Sequence, residues 1–440
     1  MFTSTHLLRD RRFAPLFATQ LLNAFNDNLY KNAMVLFVVY QVYNSPAAET
    51  VFSGVSSAVF ILPFFLFSAL AGQLADMRDK AAIIRIIKAA EIAIMGVGAA
   101  GLGLAWLGLL TEVLAMPLMM LALLAMGVHS TFFGPIKYAI LPQHLEKDEV
   151  LAGTGLVEAG TYLAIMGGTI LAGFLEVEVA AVLIILVAVV GYFTSRYVPS
   201  APPYHADQPI DRNVWRSSIR LIRNTVHNRE VFYAILAISF FWTIGAVLFI
   251  QFPPLAKNVL MASKEVASLF LVVFSIGVAI GSVAVNLLLK GKVSARYSPI
   301  SVVLMGICVA AFYLVCHNWT NHVPEGELLD VAGFIAEPLA PLVMLTLLLV
   351  AVFGGMFVVP LYAFLTTKVD PSEASRTVAA NNIVNSGAMV VGSLLALGLS
   401  AVGVPLVEQV LLSAAMCGVS AWLGQLLCNA ERHAAAQAGD

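Results

Sequence analysis

The sequence predicts an all-α membrane protein of twelve transmembrane helices arranged as two pseudo-symmetric six-helix halves, and three observations carry that prediction. Of 440 residues, 60% are hydrophobic and only 11% charged, with a mean hydropathy of +0.89, whereas a soluble domain carries about 25% charged residues. Apolar runs of the roughly 20 residues that a helix needs to cross the hydrocarbon layer recur twelve times along the chain. Finally, phrases of the first half return in the second at a nearly constant offset.

The predicted spans are 13–41, 51–75, 82–107, 113–140, 153–175, 178–197, 231–252, 266–289, 298–316, 339–365, 379–400 and 404–427. Arg9, Arg11 and Arg12 before the first run resemble the start of a signal peptide. The charges inside that run, and the lack of an early small-residue cleavage motif, favour a retained helix.

The first span is interrupted by Gln20–Asn32, QLLNAFNDNLYKN, which sets Asn23, Asn26, Asp27, Asn28, Lys31 and Asn32 inside an apolar helix. A charge at the bilayer centre costs roughly 2.5–3.5 kcal/mol on insertion scales, so such residues face protein or water. Asp27 and Lys31 stand i,i+4 on one helix face, with Asn23 a turn earlier. Two readings follow: a polar wall of a central cavity, or a self-neutralised ion pair that locks helix packing.

On the third span, Arg85 and Lys88 read as cytoplasmic interface residues, with Glu91 deeper and available to Lys88. Lys137 closes the fourth span and reads either as a polar contact or as a snorkelling lysine. Gly167, Gly168 and Gly173 in the fifth span, and Gly354 and Gly355 in the tenth, suit close helix packing. Between the sixth and seventh spans, PSAPPY leads into a basic amphipathic helix. There Trp215, Ile219, Ile222 and Val226 recur at helical spacing opposite Arg216, Arg220 and Arg223, a pattern suited to the anionic cytoplasmic leaflet. The chain thus divides into 1–198, a central loop 199–230, and 231–440.

Lysine and arginine concentrate on alternate loops, and the opposite loops hold only Lys257 and Lys264. By the positive-inside rule both termini are cytoplasmic. The repeat pairs FFGPIKYAIL, with Pro135 and Lys137, with FVVPLYAFL, with Pro360 and Tyr362, 225 positions on. Glu158 is matched with Asn385 at an offset of 227.

Composition also excludes whole classes. The net charge of −2 does not suit a nucleic-acid binder. Four cysteines, Cys308, Cys316, Cys417 and Cys428, lie in or beside apolar segments without CxxC spacing and read as packing residues. There is no His-x4-Asp acyltransferase motif, no phosphate loop and no HExxH, so neither an enzyme nor a metal or other cofactor is expected.

Twelve helices in two halves resemble the major facilitator superfamily. So does GQLADMRDK after the second span, which supplies Gly72, Asp76, Arg78 and Lys80 of that superfamily's loop signature, with Asp79 in place of its later glycine. The resemblance implies a latch of the cytoplasmic gate, assigned to Asp76 and Arg78; an ordinary charged turn is the other reading. AFNDN, FFGPIKYAILP, GLVEA and GGMFVVPLYAFL resemble the bacterial lysophospholipid transporter branch, either stand-alone or fused to acyltransferase and acyl-carrier-protein synthetase domains.

That resemblance implies alternating-access flipping of lysophosphatidylethanolamine and related lysolipids across the bacterial inner membrane for reacylation. Membrane lipids and a reacylating acyltransferase/acyl-ACP synthetase are the implied partners. Asn23, Asp27, Asn28, Lys31, Lys137, Glu158, Asn382 and Asn385 would form the amphiphilic headgroup site, with an Asp27–Lys31 pair that the headgroup splits. Some relatives carry a basic residue in the seventh helix; SFFWTIGAVLFIQF has Phe249 or Ile250 there, so that contact is not expected. The runner-up is a proton-coupled exporter of amphiphilic drugs, with Asp27 or Glu158 as proton carrier.

Overall fold

In lipid every backbone N–H and C=O must be satisfied within its own segment, which leaves a chain of this composition little choice but helices. The computed structural model describes residues 5–42, 46–203, 210–211, 213–319 and 327–437. Among these the one strand-like pairing is an isolated parallel bridge between Ala262 and Leu329.

The helices are α1 (Ala14–Phe37), α2 (Pro46–Met77), α3 (Lys80–Trp106), α4 (Met116–Ala139), α5 (Leu141–His144), α6 (Val150–Phe174), α7 (Val177–Ser195) and α8 (Val214–His227) in the first part of the chain. They continue with α9 (Arg229–Asn258), α10 (Lys264–Leu289), α11 (Ser298–His317), α12 (Val331–Ala336), α13 (Ala340–Thr367), α14 (Ala374–Ala401) and α15 (Leu406–Gln437). All but α5, α8 and α12 correspond one to one with the twelve predicted spans. Several overrun their predicted limits, α9 and α15 most clearly, because hydropathy registers the apolar part of a helix and not its polar ends. Ten helices among the described residues are long and apolar enough to cross a membrane. The side chains of Phe249 and Ile250 lie outside the described residues.

Two compact units emerge, each containing a short segment distant in sequence. Unit 1 comprises Met1–Gly153, Gly160–Asn224 and Thr366–Ile383; unit 2 comprises Thr154–Ala159, Thr225–Leu365 and Val384–Asp440. In unit 1, α1 packs on α7, α3 on both α4 and α7, and α2 on α4. Leu29, Tyr30, Met34, Met95, Leu102, Met119, Leu123, Met126 and Ile184 fill the space between them. The Tyr30 hydroxyl satisfies itself by donating to the Met119 carbonyl at 2.7 Å. Gly98 leaves room for its ring, since a Cβ there would stand 2.7 Å from Tyr30 Cε2.

Of the glycines expected to permit close packing, Gly168 brings α6 against the α1 backbone: a Cβ would lie 2.5 Å from the Phe25 carbonyl oxygen. Gly173, in contrast, faces open space. In unit 2, α9 packs on α10 and α15, and α15 on α11. Gly355 of α13 meets the α10 backbone, where a Cβ would fall 2.6 Å from the Val278 carbonyl oxygen.

Candidate functional site

The polar stretch of α1 does not form a single wall. Its side chains take three sets of partners. Asn28 donates to the Ala24 carbonyl at 2.8 Å, and Asn32 donates to the Asn28 carbonyl and to Thr169 Oγ1 of α6 at 2.8 and 3.0 Å. Lys31 places its ammonium 5.6 Å from the centre of the Phe60 ring of α2. Asn23, Asn26 and Asp27 turn inward and are buried.

These three enter a network that also draws on α3, α4 and α7. Ser130 Oγ and Asn23 Nδ2 donate to the same Asp27 oxygen, Oδ2, at 2.6 and 3.1 Å. Lys88 donates to Asn23 Oδ1 at 3.3 Å and forms a close ion pair with Glu91. Asn26 Nδ2 donates to Glu91 Oε1 at 2.8 Å and to the Ile184 carbonyl of α7 at 3.1 Å. His129 Nε2 lies 3.4 Å from Glu91 Oε2, and its Nδ1 lies 3.5 Å from Ser130 Oγ. Gly191 of α7 makes room for the lysine, because a Cβ there would be 2.8 Å from Lys88 Cε.

Two sequence expectations change here. Asp27 and Lys31 do not form an ion pair: the carboxylate is held by Asn23 and Ser130, and the ammonium sits over Phe60. Lys88 is not an interface residue but is 0% exposed, as is Glu91, because α7 covers that face of α3. Glu91 does pair with Lys88, as their i,i+3 spacing suggested. His129 and Ser130 had not been singled out. The signal available for the Lys88–Glu91 pair was two opposite charges one turn apart inside a predicted span, where charges normally have a partner. Among the described residues Asp27 Oδ1 and Asn26 Oδ1 are buried without a hydrogen-bond donor. Two further acceptors are therefore available beside the network.

The other candidate residues stand elsewhere. Lys137 holds its ammonium 4.6 Å from the Tyr138 ring centre. Glu158 is fully buried and falls in Thr154–Ala159, which belongs to unit 2. Asn385, also in unit 2, accepts from Ser239 Oγ of α9 at 2.6 Å; one turn further along α9, Trp242 Nε1 donates to the Tyr362 hydroxyl at 2.6 Å. Asn382 belongs to unit 1, where its Nδ2 lies 3.0 Å from where a Cβ on Gly134 would be.

A second polar site lies at the end of α2, still within unit 1. Asp76 is buried, and its carboxylate accepts from the backbone N–H groups of Ser375 and Arg376 at 3.0 and 3.1 Å. These belong to the first turn of α14, where unpaired N–H groups and the helix dipole favour an anion. Arg376 Nε adds a contact at 3.7 Å. Gly72, one turn earlier, permits the approach: a Cβ would be 2.7 Å from that of Ala379.

Arg78, expected to share the latch with Asp76, is exposed and donates to the Met77 carbonyl; the arginine beside Asp76 is Arg376. Lys80 is buried, and its backbone N–H donates to the Ala201 carbonyl at 3.1 Å. Asp79 caps α3 through the N–H groups of Ala81 and Ala82, at 2.8 and 3.2 Å, and also accepts from Ser200 Oγ and the Ala201 N–H. Partial burial works to raise its pKa, but those four donors hold it below the ordinary carboxylate value.

Residues 16–393 match the family model of the Major Facilitator Superfamily. A protein of Klebsiella pneumoniae subsp. pneumoniae named Lysophospholipid transporter LplT is 26% identical over 406 residues, covering 88% of this chain and 88% of that protein. A protein of the same name from Photorhabdus laumondii subsp. laumondii is 23% identical over 366 residues, covering 81% and 80%. Among solved structures, a bacterial homologue of the iron transporter ferroportin in an outward-facing state superposes with a TM-score of 0.70 at 14% identity, covering 94% of this chain and 99% of that one. The human organic anion transporter MFSD10 gives 0.71 at 13% identity with the same coverage. At those identities the structural likeness speaks for the fold alone.

Proposed function

The chain belongs to the Major Facilitator Superfamily, and on that premise we propose that it transports lysophospholipids. It would carry lysophosphatidylethanolamine and related lysolipids to the cytoplasmic leaflet of the bacterial inner membrane by alternating access. The observation that carries this reading is the end-to-end likeness to proteins named Lysophospholipid transporter LplT, 88% of each chain for the Klebsiella protein. Reacylation on the cytoplasmic face is the reaction that would consume the product, and both termini would face the cytoplasm.

The geometry of unit 1 suits such a substrate. Burial of each methylene is worth about 0.8 kcal/mol, so an acyl chain of roughly 16 carbons prefers hydrocarbon by something like 12 kcal/mol. Only the headgroup needs a polar path. A zwitterionic headgroup presents an ammonium and a phosphate, and α1 offers the complement of each one turn apart. Asp27 Oδ1 lacks a donor, and the contact of Lys31 is an aromatic ring. In this reading the pair is already open, so the headgroup has no ion pair to break. Lys88, Glu91, His129 and Asn26 hold Asp27 and Asn23 in place from behind.

Asn28, Lys137 and Asn382 complete the headgroup contacts proposed for unit 1, and Glu158 and Asn385 are proposed as the polar contacts of unit 2. Gly72 and Asp76, with Arg376, are proposed as the cytoplasmic latch, since opening it removes a carboxylate from the N-terminus of α14. Arg78 and Lys80 flank that latch.

Purified protein in phosphatidylethanolamine/phosphatidylglycerol vesicles tests the proposal. Lysophosphatidylethanolamine should cross faster than in empty vesicles, and a panel of cationic dyes should not. Movement of dyes without lysolipid would overturn the lipid reading in favour of a drug exporter.

A further inference from the structure

The helix α8 turns its sides the opposite way from a helix seated on a protein. Ser217 and Ser218 are buried, whereas Trp215 and Ile219 are 61% and 66% exposed. A helix docked on a soluble surface hides its apolar stripe and leaves its serines to water. Here two large apolar groups one turn apart are presented outward, in a chain that spans a membrane.

Its position is also defined. The N–H of Asp211, just before α8, donates to Gln73 Oε1 of α2 at 3.0 Å. The Trp215 ring meets Phe65 of α2 edge-on, with centroids 6.1 Å apart. Phe65 lies eight residues before Gln73, about 12 Å of helix towards the middle of α2. Phe65 and Leu62 are themselves exposed, at 41% and 49%, on a helix apolar enough to cross the bilayer. Trp215 and Ile219 therefore extend an apolar surface that α2 already offers to lipid.

Arginines stand at the polar edge of that surface. Asp211 receives Arg216 as a fork, Nε at 2.9 Å and Nη2 at 2.7 Å, and Arg220 Nη2 lies 3.4 Å away. The carboxylate orients both guanidinium groups and neutralises one of their charges. Two guanidinium groups against one carboxylate leave this exposed face an excess of positive charge, on the side that the positive-inside rule assigns to the cytoplasm. An apolar pair lying deeper than an arginine row is the arrangement of a helix resting at the headgroup level of an anionic leaflet.

We propose that α8 is an interfacial anchor that inserts Trp215 and Ile219 into the cytoplasmic leaflet beside α2 and binds the headgroup phosphates of anionic phospholipids through Arg216, Arg220 and Arg223. The proposal does not depend on the transported substrate.

The test uses the full chain in vesicles of three parts phosphatidylethanolamine to one part phosphatidylglycerol. Trp215 fluorescence is the difference between the wild type and W215F. Phospholipids brominated near the top of their acyl chains should quench that difference at least about twofold, while aqueous iodide leaves it unchanged. Phosphatidylglycerol retained through purification, measured by mass spectrometry, should fall about fivefold for each arginine changed to glutamine, and lysine in its place should restore most of it. Quenching by iodide but not by bromolipid would show a solvated linker. Protection from both would show a protein cover such as a second copy. Unchanged phosphatidylglycerol in R216Q/R220Q/R223Q would remove the headgroup site. Any of these three results overturns the proposal.

Discussion

Replacing Lys88 by methionine removes the one lysine of a network in which Lys88 and Glu91 are both 0% exposed. Glu91 would keep Asn26 and the nearby His129 but lose its ion-pair partner, and Asn23 Oδ1 would lose a donor. Breaking a buried pair from one side costs about 3–5 kcal/mol, because an uncompensated charge stays behind. Glu91→Leu alone should cost a similar amount, since it strands the ammonium instead. In the double variant K88M/E91L no charge is stranded. Asn26 retains the Ile184 carbonyl, so the remaining loss is that of the neutral hydrogen bonds, about 1–3 kcal/mol.

The single changes should therefore be worse than the double, and these figures give a coupling energy of about 3–9 kcal/mol, the double costing that much less than the two singles summed. Thermal unfolding of the detergent-purified protein, followed by size-exclusion profile, measures all four corners of the cycle. Singles that are each neutral, or a double as unstable as the two singles combined, would refute a mutually compensating buried pair. If the double variant is stable yet moves no lysolipid, the pair acts in transport as well as in packing.

Three further outcomes follow from the same geometry. Asp27→Asn keeps an oxygen for Asn23 and Ser130 but removes the charge proposed to meet an ammonium; a hydrogen bond to a charged group is worth about 1.5–3 kcal/mol, so flipping should fall roughly 10- to 100-fold with insertion and unfolding temperature unchanged. Asp76→Asn weakens the capping of α14 by about 0.5–2 kcal/mol, and a cysteine at position 375 should then react faster with a membrane-impermeant maleimide applied from the side of the membrane that carries the α2–α3 loop. Asp79 has a folded pKa below its unfolded value near 3.9. Its contribution is thus present above pH ~4 and is lost as pH falls through the folded pKa; D79N should flatten the drop in unfolding temperature on acidification below pH ~4, and an unchanged slope would show that the cap contributes nothing.

Much of the architecture was legible in the chain because lipid enforces it. A segment of about 20 apolar residues in hydrocarbon must be a helix, since no water is available to its backbone, and so the twelve long helices could be read from hydropathy. The place of the polar stretch was legible for the same reason: Asn23, Asp27 and Lys31 are costly in a span and must find polar or aromatic neighbours there. The resemblance to the superfamily's loop signature pointed to Gly72 and Asp76, and both lie against the start of α14.

Partner choice was not legible, because it depends on residues far apart in the chain and on which way each helix turns. An i,i+4 spacing allows Asp27 and Lys31 to meet but does not oblige them to. Ser130, 103 positions later, supplies the shorter bond, and Phe60 takes the lysine. Lys88 read as an interface residue because sequence shows its basic neighbours and not α7, whose Gly191 leaves the space in which the ammonium is enclosed. In the same way Asp76 finds its partners 299 and 300 positions downstream, which assigns the neighbouring guanidinium to Arg376 and leaves Arg78 in solvent. Hydropathy and local spacing determined the helices and which of them carry charge into the membrane; tertiary packing decided how most of that charge is compensated, because burial makes a few specific neighbours decisive.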